Sequence, residues 1–300
     1  MGTEEPEGGQ PDPGMDEPPA DGFVLRMLLG SQLRRLREAA GVTPDRAGYE
    51  IRASRSKISR METGRVGFKT RDVEDLLTFY GVTDEQAQSR LLDLAGQSKR
   101  MDWWTSYSDV LPGWFENYLG LESVSSTMRT FEIQFVHGLF QTEDYARAVT
   151  MLGHRAAPET EIDRRVALRM ARQDLLNSAQ PPRVWSVMDE AALRRPVGGR
   201  DVMRAQLNRL LEVAGLNQVT LQVVPFRRGG HAAAGGSFTV LRFGEPDLPD
   251  VVYIEQLTSA LYLERRSDVD HYMEIMNRLS AEALTPAGTT KLIKEIIRET

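Results

Sequence analysis

Arg55, Ser56, Ser59 and Arg60 carry the side chains best suited to recognition chemistry in this chain. They fall at i, i+1, i+4 and i+5, so on a helix they share one face, while Ile58 and Met61 lie on the other. A guanidinium fork matches the two acceptors of a guanine edge in the major groove, and hydroxyls reach phosphates or bases. A helix divided in this way suits DNA reading. The same division also describes a solvated charged helix, so the elements around it must decide.

Those elements favour the first reading. Upstream, Thr43 is placed to cap a short helix, with Pro44 at its first position and Asp45 in its first turn. A turn over 52–54 separates this helix from the next, the spacing of a helix-turn-helix. Ala47 and Gly48 are small, as a close helix crossing requires, and Gly64 stops the second helix. Three further helices are expected at 23–40, 69–80 and 84–97. The first carries a stripe of Met27, Leu28, Leu33 and Leu36. The second has Val73, Leu76, Leu77 and Tyr80 at helical spacing. Thr83 is read as the cap of the third, which turns Leu91, Leu92 and Ala95 inward. Five helices in this span make an all-α domain with its own core.

Charge follows the same division. The chain has net charge −6 and a pI near 5.4. Residues 1–20 hold six acids and no base, whereas residues 21–100 hold 15 basic and 11 acidic side chains. From Arg52 to Arg71 seven bases stand against Glu62 alone. A basic patch on an acidic protein suits a binder that avoids clinging to all DNA.

The 300 residues suggest more than one domain. Residues 1–22 read as a disordered acidic tail without the apolar core of a signal peptide, and no run approaches the ~20 apolar residues of a membrane span. A cytoplasmic, nucleoid-associated protein is expected. Cysteine is absent, which excludes disulfides, thiol catalysis and cysteine zinc sites.

The helix-turn-helix domain is assigned to 23–100, a second domain to 101–284 and a terminal helix to 285–300. Trp103, Trp104, Tyr107, Trp114, Phe115 and Tyr118 put six of 22 aromatics near the start of the second domain. They could line a ligand pocket or a partner interface, or form a core cluster joining two domains. Helices are expected at 112–129, 142–151, 158–177, 201–214 and 268–283. Strands are expected at 184–188, 219–224, 237–243 and 251–255, with a short fifth at 260–263. This gives an α/β or α+β domain with about four or five strands. Leu292, Ile293, Ile296 and Ile297 give the last helix an apolar face, for its own domain or a second subunit.

Other candidates offer little chemistry. His137, His154, His231 and His271 lack metal-ligand spacing. The Gly-rich loop at 229–236 lacks the Lys-Ser/Thr of a P-loop and reads as a hairpin loop or a lid. Asp189 and Glu190 end a strand without a convergent partner. Arg194 and Arg195 could bind a phosphate or an acidic partner, or simply face solvent. No catalytic residue, metal or cofactor is expected, and the chain does not read as an enzyme.

The order of these helices, Thr43 opening the second, and the run from Ser56 to Arg65 resemble the XRE (Cro/phage-repressor-like) helix-turn-helix family. The resemblance implies base contacts from Arg55, Ser56 and Arg60, with Lys57 and Ser59 nearer the backbone. Thr43 and Arg65 complete the implied DNA-binding set. The Gln that follows the opening Thr in that family, and helps clamp a phosphate, is Pro44 here. The family's Leu-Ala pair is Ala47-Gly48. Farther on, Gly138 to Thr142 with Tyr145-Ala146, Met188 to Leu193, Arg195 to Gly199, and Gly235 to Phe238 are similar to the uncharacterised C-terminal domain of actinobacterial XRE regulators, including the WhiJ-like developmental regulators of streptomycetes. The resemblance implies a transcription regulator, often repressive and antitoxin-like, acting as a homodimer on a double-stranded operator. It also implies a small, neighbour-encoded protein partner. A rival reading is a protein-interaction or antitoxin module whose DNA binding is only autoregulatory.

Overall fold

The computed structural model describes residues 22–99, 102–233, 235–244 and 248–300. The expected acidic tail, apart from its last residue, lies outside them. The N-terminal part is five helices: α1 (Gly22–Ala39), α2 (Pro44–Glu50), α3 (Arg55–Glu62), α4 (Thr70–Phe79) and α5 (Glu85–Gln97). Their inward stripes meet in one core around Leu29, Leu33, Ile58, Met61, Val73, Leu76 and Leu77. Asp84, not Thr83, caps α5. Its carboxylate accepts from the Gln86 amide at 2.9 Å, and a carboxylate also complements the helix N-terminus.

The second part is an α/β domain. In chain order it comprises α6 (Gly113–Val124), β1 (Ser125–Glu132), α7 (Glu143–Gly153), α8 (Glu159–Ala171), β2 (Arg183–Asp189), α9 (Glu190–Arg194), α10 (Arg200–Val213), β3 (Val219–Val224), β4 (Phe238–Phe243), β5 (Val251–Glu255), β6 (Ala260–Leu263), α11 (Arg266–Glu282) and α12 (Pro286–Glu299). The sheet has six strands in the order β3-β2-β1-β4-β5-β6. β1, β2 and β3 run parallel, while β4, β5 and β6 continue it antiparallel. α11 covers one face, where Met276 and Leu279 meet Val187, Val240 and Val252. The opposite face packs against α10 and α12, with Leu207, Leu210, Ile293 and Ile296 against Met188, Leu221 and Val223.

Three sequence expectations change here. The strand count is six, because residues 125–129, expected as the end of a helix, open β1. Met128, Thr130 and Phe131 are all fully buried, as a central strand covered on both faces requires. The expected helix at 158–177 tightens to a 3₁₀ segment after Ala171. Of the two alternatives for the terminal helix, the structure shows packing on its own domain, where Thr289 Oγ1 accepts from the Val223 amide at 3.1 Å.

The boundary near residue 100 is also less clean than expected. Phe23 and Met27, on α1, belong to the core of the α/β domain. The Phe23 amide donates to Asp102 at 2.8 Å, and Arg26 pairs with the same carboxylate at 2.8 Å. The Phe23 ring meets Trp104 edge-on, with centroids 6.3 Å apart. It also lies directly on Gly120 of α6, where an added Cβ would stand 2.5 Å from Phe23 Cδ2.

Candidate nucleic-acid interface

Two caps and a turn set the angle between α2 and α3. Thr43 Oγ1 accepts from the Arg46 amide at 3.3 Å, and Ser54 Oγ accepts from the Lys57 amide at 3.2 Å. Between the helices Arg52 has φ of 53°, a left-handed conformation that costs a non-glycine residue roughly 1 kcal/mol. The Ala53 amide closes the turn onto the Gly48 carbonyl at 2.7 Å.

Ile58 and Met61 are each 1% exposed and pin α3 to the core. Behind them α1 crosses so closely that a Cβ on Gly30 would lie 2.8 Å from the Glu62 carbonyl oxygen. Arg37 reaches from α1 to Glu62 with a two-pronged pair, Nε to Oε1 at 2.5 Å and Nη2 to Oε2 at 3.1 Å. Its third nitrogen donates to the Val42 carbonyl at 2.9 Å. Hydrogen bonding to Glu62 raises the Arg37 pKa above its ordinary value despite burial, so the guanidinium stays charged at any physiological pH.

The outward face carries Arg55, Ser56, Ser59 and Arg60, all exposed. Arg55 meets Asp45 only at 3.7 Å, with both side chains about two-thirds exposed. Such a contact contributes under ~1 kcal/mol and yields readily to a base edge. Arg60 is held only by a 3.4 Å bond from Nε to the Ser56 carbonyl. These four side chains keep their donors available on one rigid surface.

The other expected DNA-binding residues stand differently. Thr43 is exposed but its hydroxyl already caps α2. Lys57 is turned onto α4 by an ion pair with Asp72 at 2.8 Å. Arg65 points back to the second domain, paired with Glu264 at 2.7 Å and 4.9 Å from the Tyr262 ring centroid. Two further residues of the helix-turn-helix are exposed and are not among the expected DNA contacts. Tyr49 on α2 is 87% exposed, and Arg52 is exposed in the turn. Tyr49 left a faint signal: its helical neighbours Asp45 and Arg46 give it no apolar stripe to join.

Much of the aromatic set packs inward, while Trp103 is exposed. Trp104 is fully buried and Tyr118 is 2% exposed. Phe115 and Tyr118 stack at 5.4 Å, and the Arg172 guanidinium lies 5.5 Å and 5.1 Å from their centroids. Arg172 pairs with Glu122 through Nε and through Nη2, the latter at 2.7 Å from Oε1, and the Tyr118 hydroxyl donates to Glu122 at 3.0 Å. Burial, with Glu122 adding to it, pushes the Tyr118 pKa well above its usual range. Trp114 offers its carbonyl to the Tyr262 hydroxyl at 2.5 Å, Trp103 stands edge-on to Trp104 and Tyr107, and Trp104 meets Phe23. The cluster therefore sheathes a buried ion pair and joins the two domains.

Asp189 and Glu190 turn to different partners, and His231 Nε2 stands 3.6 Å from Asp189 Oδ2, a neighbour the sequence did not reveal. Asp189 caps α9 through the Ala191 amide at 2.7 Å, while Glu190 holds Arg194 at 2.6 Å and the Phe226 amide at 2.8 Å. Arg194 also pairs with Glu299 at 2.7 Å. Among the described residues no helix is long and apolar enough to cross a membrane.

Comparison with known families divides the chain at the same place. A model described as Helix-turn-helix domain matches residues 28–89, from α1 into α5. A model described as Domain of unknown function (DUF5753) matches residues 115–295, from α6 into α12. No curated protein and no solved structure matches the chain. The second match takes in more than half of the residues and every strand of the sheet, and the chain belongs to the Domain of unknown function (DUF5753) family, with a helix-turn-helix domain ahead of it.

Proposed function

We propose that this protein is a sequence-specific, repressor-type transcription regulator of the cytoplasm that reads duplex DNA with α3. The observation that carries the reading is the open face of Arg55, Ser56, Ser59 and Arg60, backed by the buried Arg37–Glu62 pair. Two bidentate guanidiniums on a rigid helix supply direct readout, while the other bases between Arg52 and Arg71 supply sequence-independent attraction to phosphates. The protein acts as a homodimer on a pseudo-palindrome whose half-sites lie about one helical turn apart. The α/β domain serves regulation rather than catalysis, in keeping with the resemblance to antitoxin-like, WhiJ-like actinobacterial regulators. A groove beside α7 and α8, where Met151 and Leu152 are 53% and 54% exposed, supports docking of a small protein partner there.

Selection of bound sequences from a random duplex library by the full chain tests the reading. Arg55→Ala or Arg60→Ala is expected to cost about 1–3 kcal/mol on the selected site and to relax preference at one base position. If both variants keep the affinity and the preference of the parent, α3 does not read DNA. Footprints across a genome separate a wider regulator, with many sites, from an autoregulating module with one.

A further inference from the structure

On the face of the sheet that α11 covers, burial falls off in rows across three neighbouring strands. Val187, Phe131 and Phe238 stand in register on β2, β1 and β4, each at most 5% exposed. Two residues along, Trp185 and Arg129 are half-buried beside a buried Val240. Two further on, Arg183, Thr127 and Arg242 make the next row, with both arginines exposed and Thr127 half-buried. Neighbouring strands lie about 4.8 Å apart, and side chains two residues apart share a face. Thr127 therefore has an arginine on either side and a third along its own strand. Asn277 of α11 walls this shelf, its Oδ1 accepting from Arg129 Nη1 at 2.9 Å.

Arg129 is the unusual member. Its guanidinium lies 4.9 Å from the Trp185 ring centroid, and its Nε is buried without a hydrogen-bond partner. Among the described residues it pairs with no carboxylate; burial lowers its pKa, and the nearby Arg242 lowers it further. Arg183 likewise has no ion pair among the described residues, while Arg242 pairs with Asp250 at 2.8 Å. After that pairing, three guanidiniums less one carboxylate leave two positive charges on the shelf. A cation held half out of water beside another of its own sign is costly until an anion joins it. We propose that this shelf binds the phosphate dianion of a small phosphorylated ligand, held by Arg129, Arg183 and Arg242 around the Thr127 hydroxyl. Two unmatched guanidiniums balance a dianion, and their forks suit the oxygen pairs of a phosphate; a carboxylate would leave one unmatched. Because Arg129 is half-buried behind the outer row, a compact anion reaches all three forks, whereas the flank of a duplex meets only the exposed pair. The assignment is independent of the DNA reading of α3.

The test uses the full chain at fixed ionic strength, with inorganic phosphate and pyrophosphate as probes and acetate as the control. A rise in Tm reports binding to the folded chain, and the emission of Trp185 reports where the probe sits. Both phosphates should raise Tm and shift the emission, and acetate should do neither. Arg183→Gln, at an exposed position, should weaken pyrophosphate binding about tenfold. Arg129→Met should weaken it at least as much, yet melt no lower than the parent without probe, because a desolvated cation is gone. Trp185→Phe should lose the emission shift and keep the rise in Tm. Pyrophosphate bound as in the parent by both Arg183→Gln and Arg129→Met overturns the site. Acetate acting as well as phosphate overturns the ligand class. If Arg129→Met fails to fold, Arg183→Gln and the Trp185 emission decide alone. A random-sequence duplex that shifts the Trp185 emission where neither phosphate does would give the shelf to the DNA backbone and overturn the small-ligand assignment.

Discussion

Removing Glu62 while keeping Arg37 tests how α3 is held. Both side chains are 8% exposed, so Glu62→Ala leaves a guanidinium almost out of water with two of its three nitrogens stripped of their main acceptor. Breaking a buried pair by removing one partner costs about 3–5 kcal/mol. The lower end applies here, because Arg37 keeps the Val42 carbonyl at 2.9 Å and a 3.4 Å contact with the half-exposed Glu38. The backbone carbonyls of Met61 and Glu62, against which Gly30 packs, then lose their tether. Hydrogen exchange of the α3 amides in the intact protein reads this locally, and a loss of about 3 kcal/mol appears as more than a hundredfold faster exchange. The double variant Arg37→Met with Glu62→Leu removes both charges and should recover to within about 1 kcal/mol of the parent, since an apolar pair of similar volume replaces a buried ion pair at little cost. Exchange accelerated less than about fivefold in Glu62→Ala, which is about 1 kcal/mol, would refute the claim that the pair holds the recognition helix.

Two further perturbations have defined outcomes. Asp72→Asn frees Lys57 from α4, and the full chain should then bind all duplexes more tightly, with the slope of log affinity against log salt steeper by about one; a change in base preference would instead place Lys57 among the base readers. Glu132, at the end of β1, has its pKa pushed up to about 8 by burial and by the nearby Glu255, with Ser237 opposing. A carboxyl group whose folded pKa is raised holds its proton more tightly when folded, so stability falls as pH rises from the unfolded value of 4.5 towards 8. Glu132→Gln should therefore melt above the parent at pH ~8.5 and close to it at pH ~5; a gap that does not widen with pH would show that Glu132 is ionised at little cost.

Much of the N-terminal half is legible from sequence because its signals are local. Thr43 caps the helix that follows immediately, and Ile58 with Met61 defines a face within one turn. The outward set of Arg55, Ser56, Ser59 and Arg60 needs only helical periodicity to be found. What sequence reading misses depends on distant partners. β1 looks like the tail of a helix until its register with Arg183 to Met188 on one side and Phe238 to Phe243 on the other is known. The ion pairs of Lys57 and Arg65 are invisible in sequence because Asp72 and Glu264 lie 15 and 199 residues away. The aromatic run from Trp103 to Tyr118 is equally ambiguous in sequence, because Phe23, Arg172 and Tyr262, which decide its role, come from three other elements.

Those distant partners also explain why α3 is not an independent reader. A helix-turn-helix domain tethered by a loose linker would leave its own affinity unaffected by the second domain. Here α1 belongs to two cores at once: Leu29 and Leu33 pack under α3, while Phe23 and Met27 pack into the α/β domain. One helix therefore links α6 and Trp104 to the turn of chain that Glu62 closes. Arg65 adds a second connection on the far side of that turn. α1 and Arg65 are thus two attachments between α3 and the α/β domain. The outward face of α3 and the helix that joins it to the α/β domain are thus separate, and the buried Arg37–Glu62 pair is the point at which they meet.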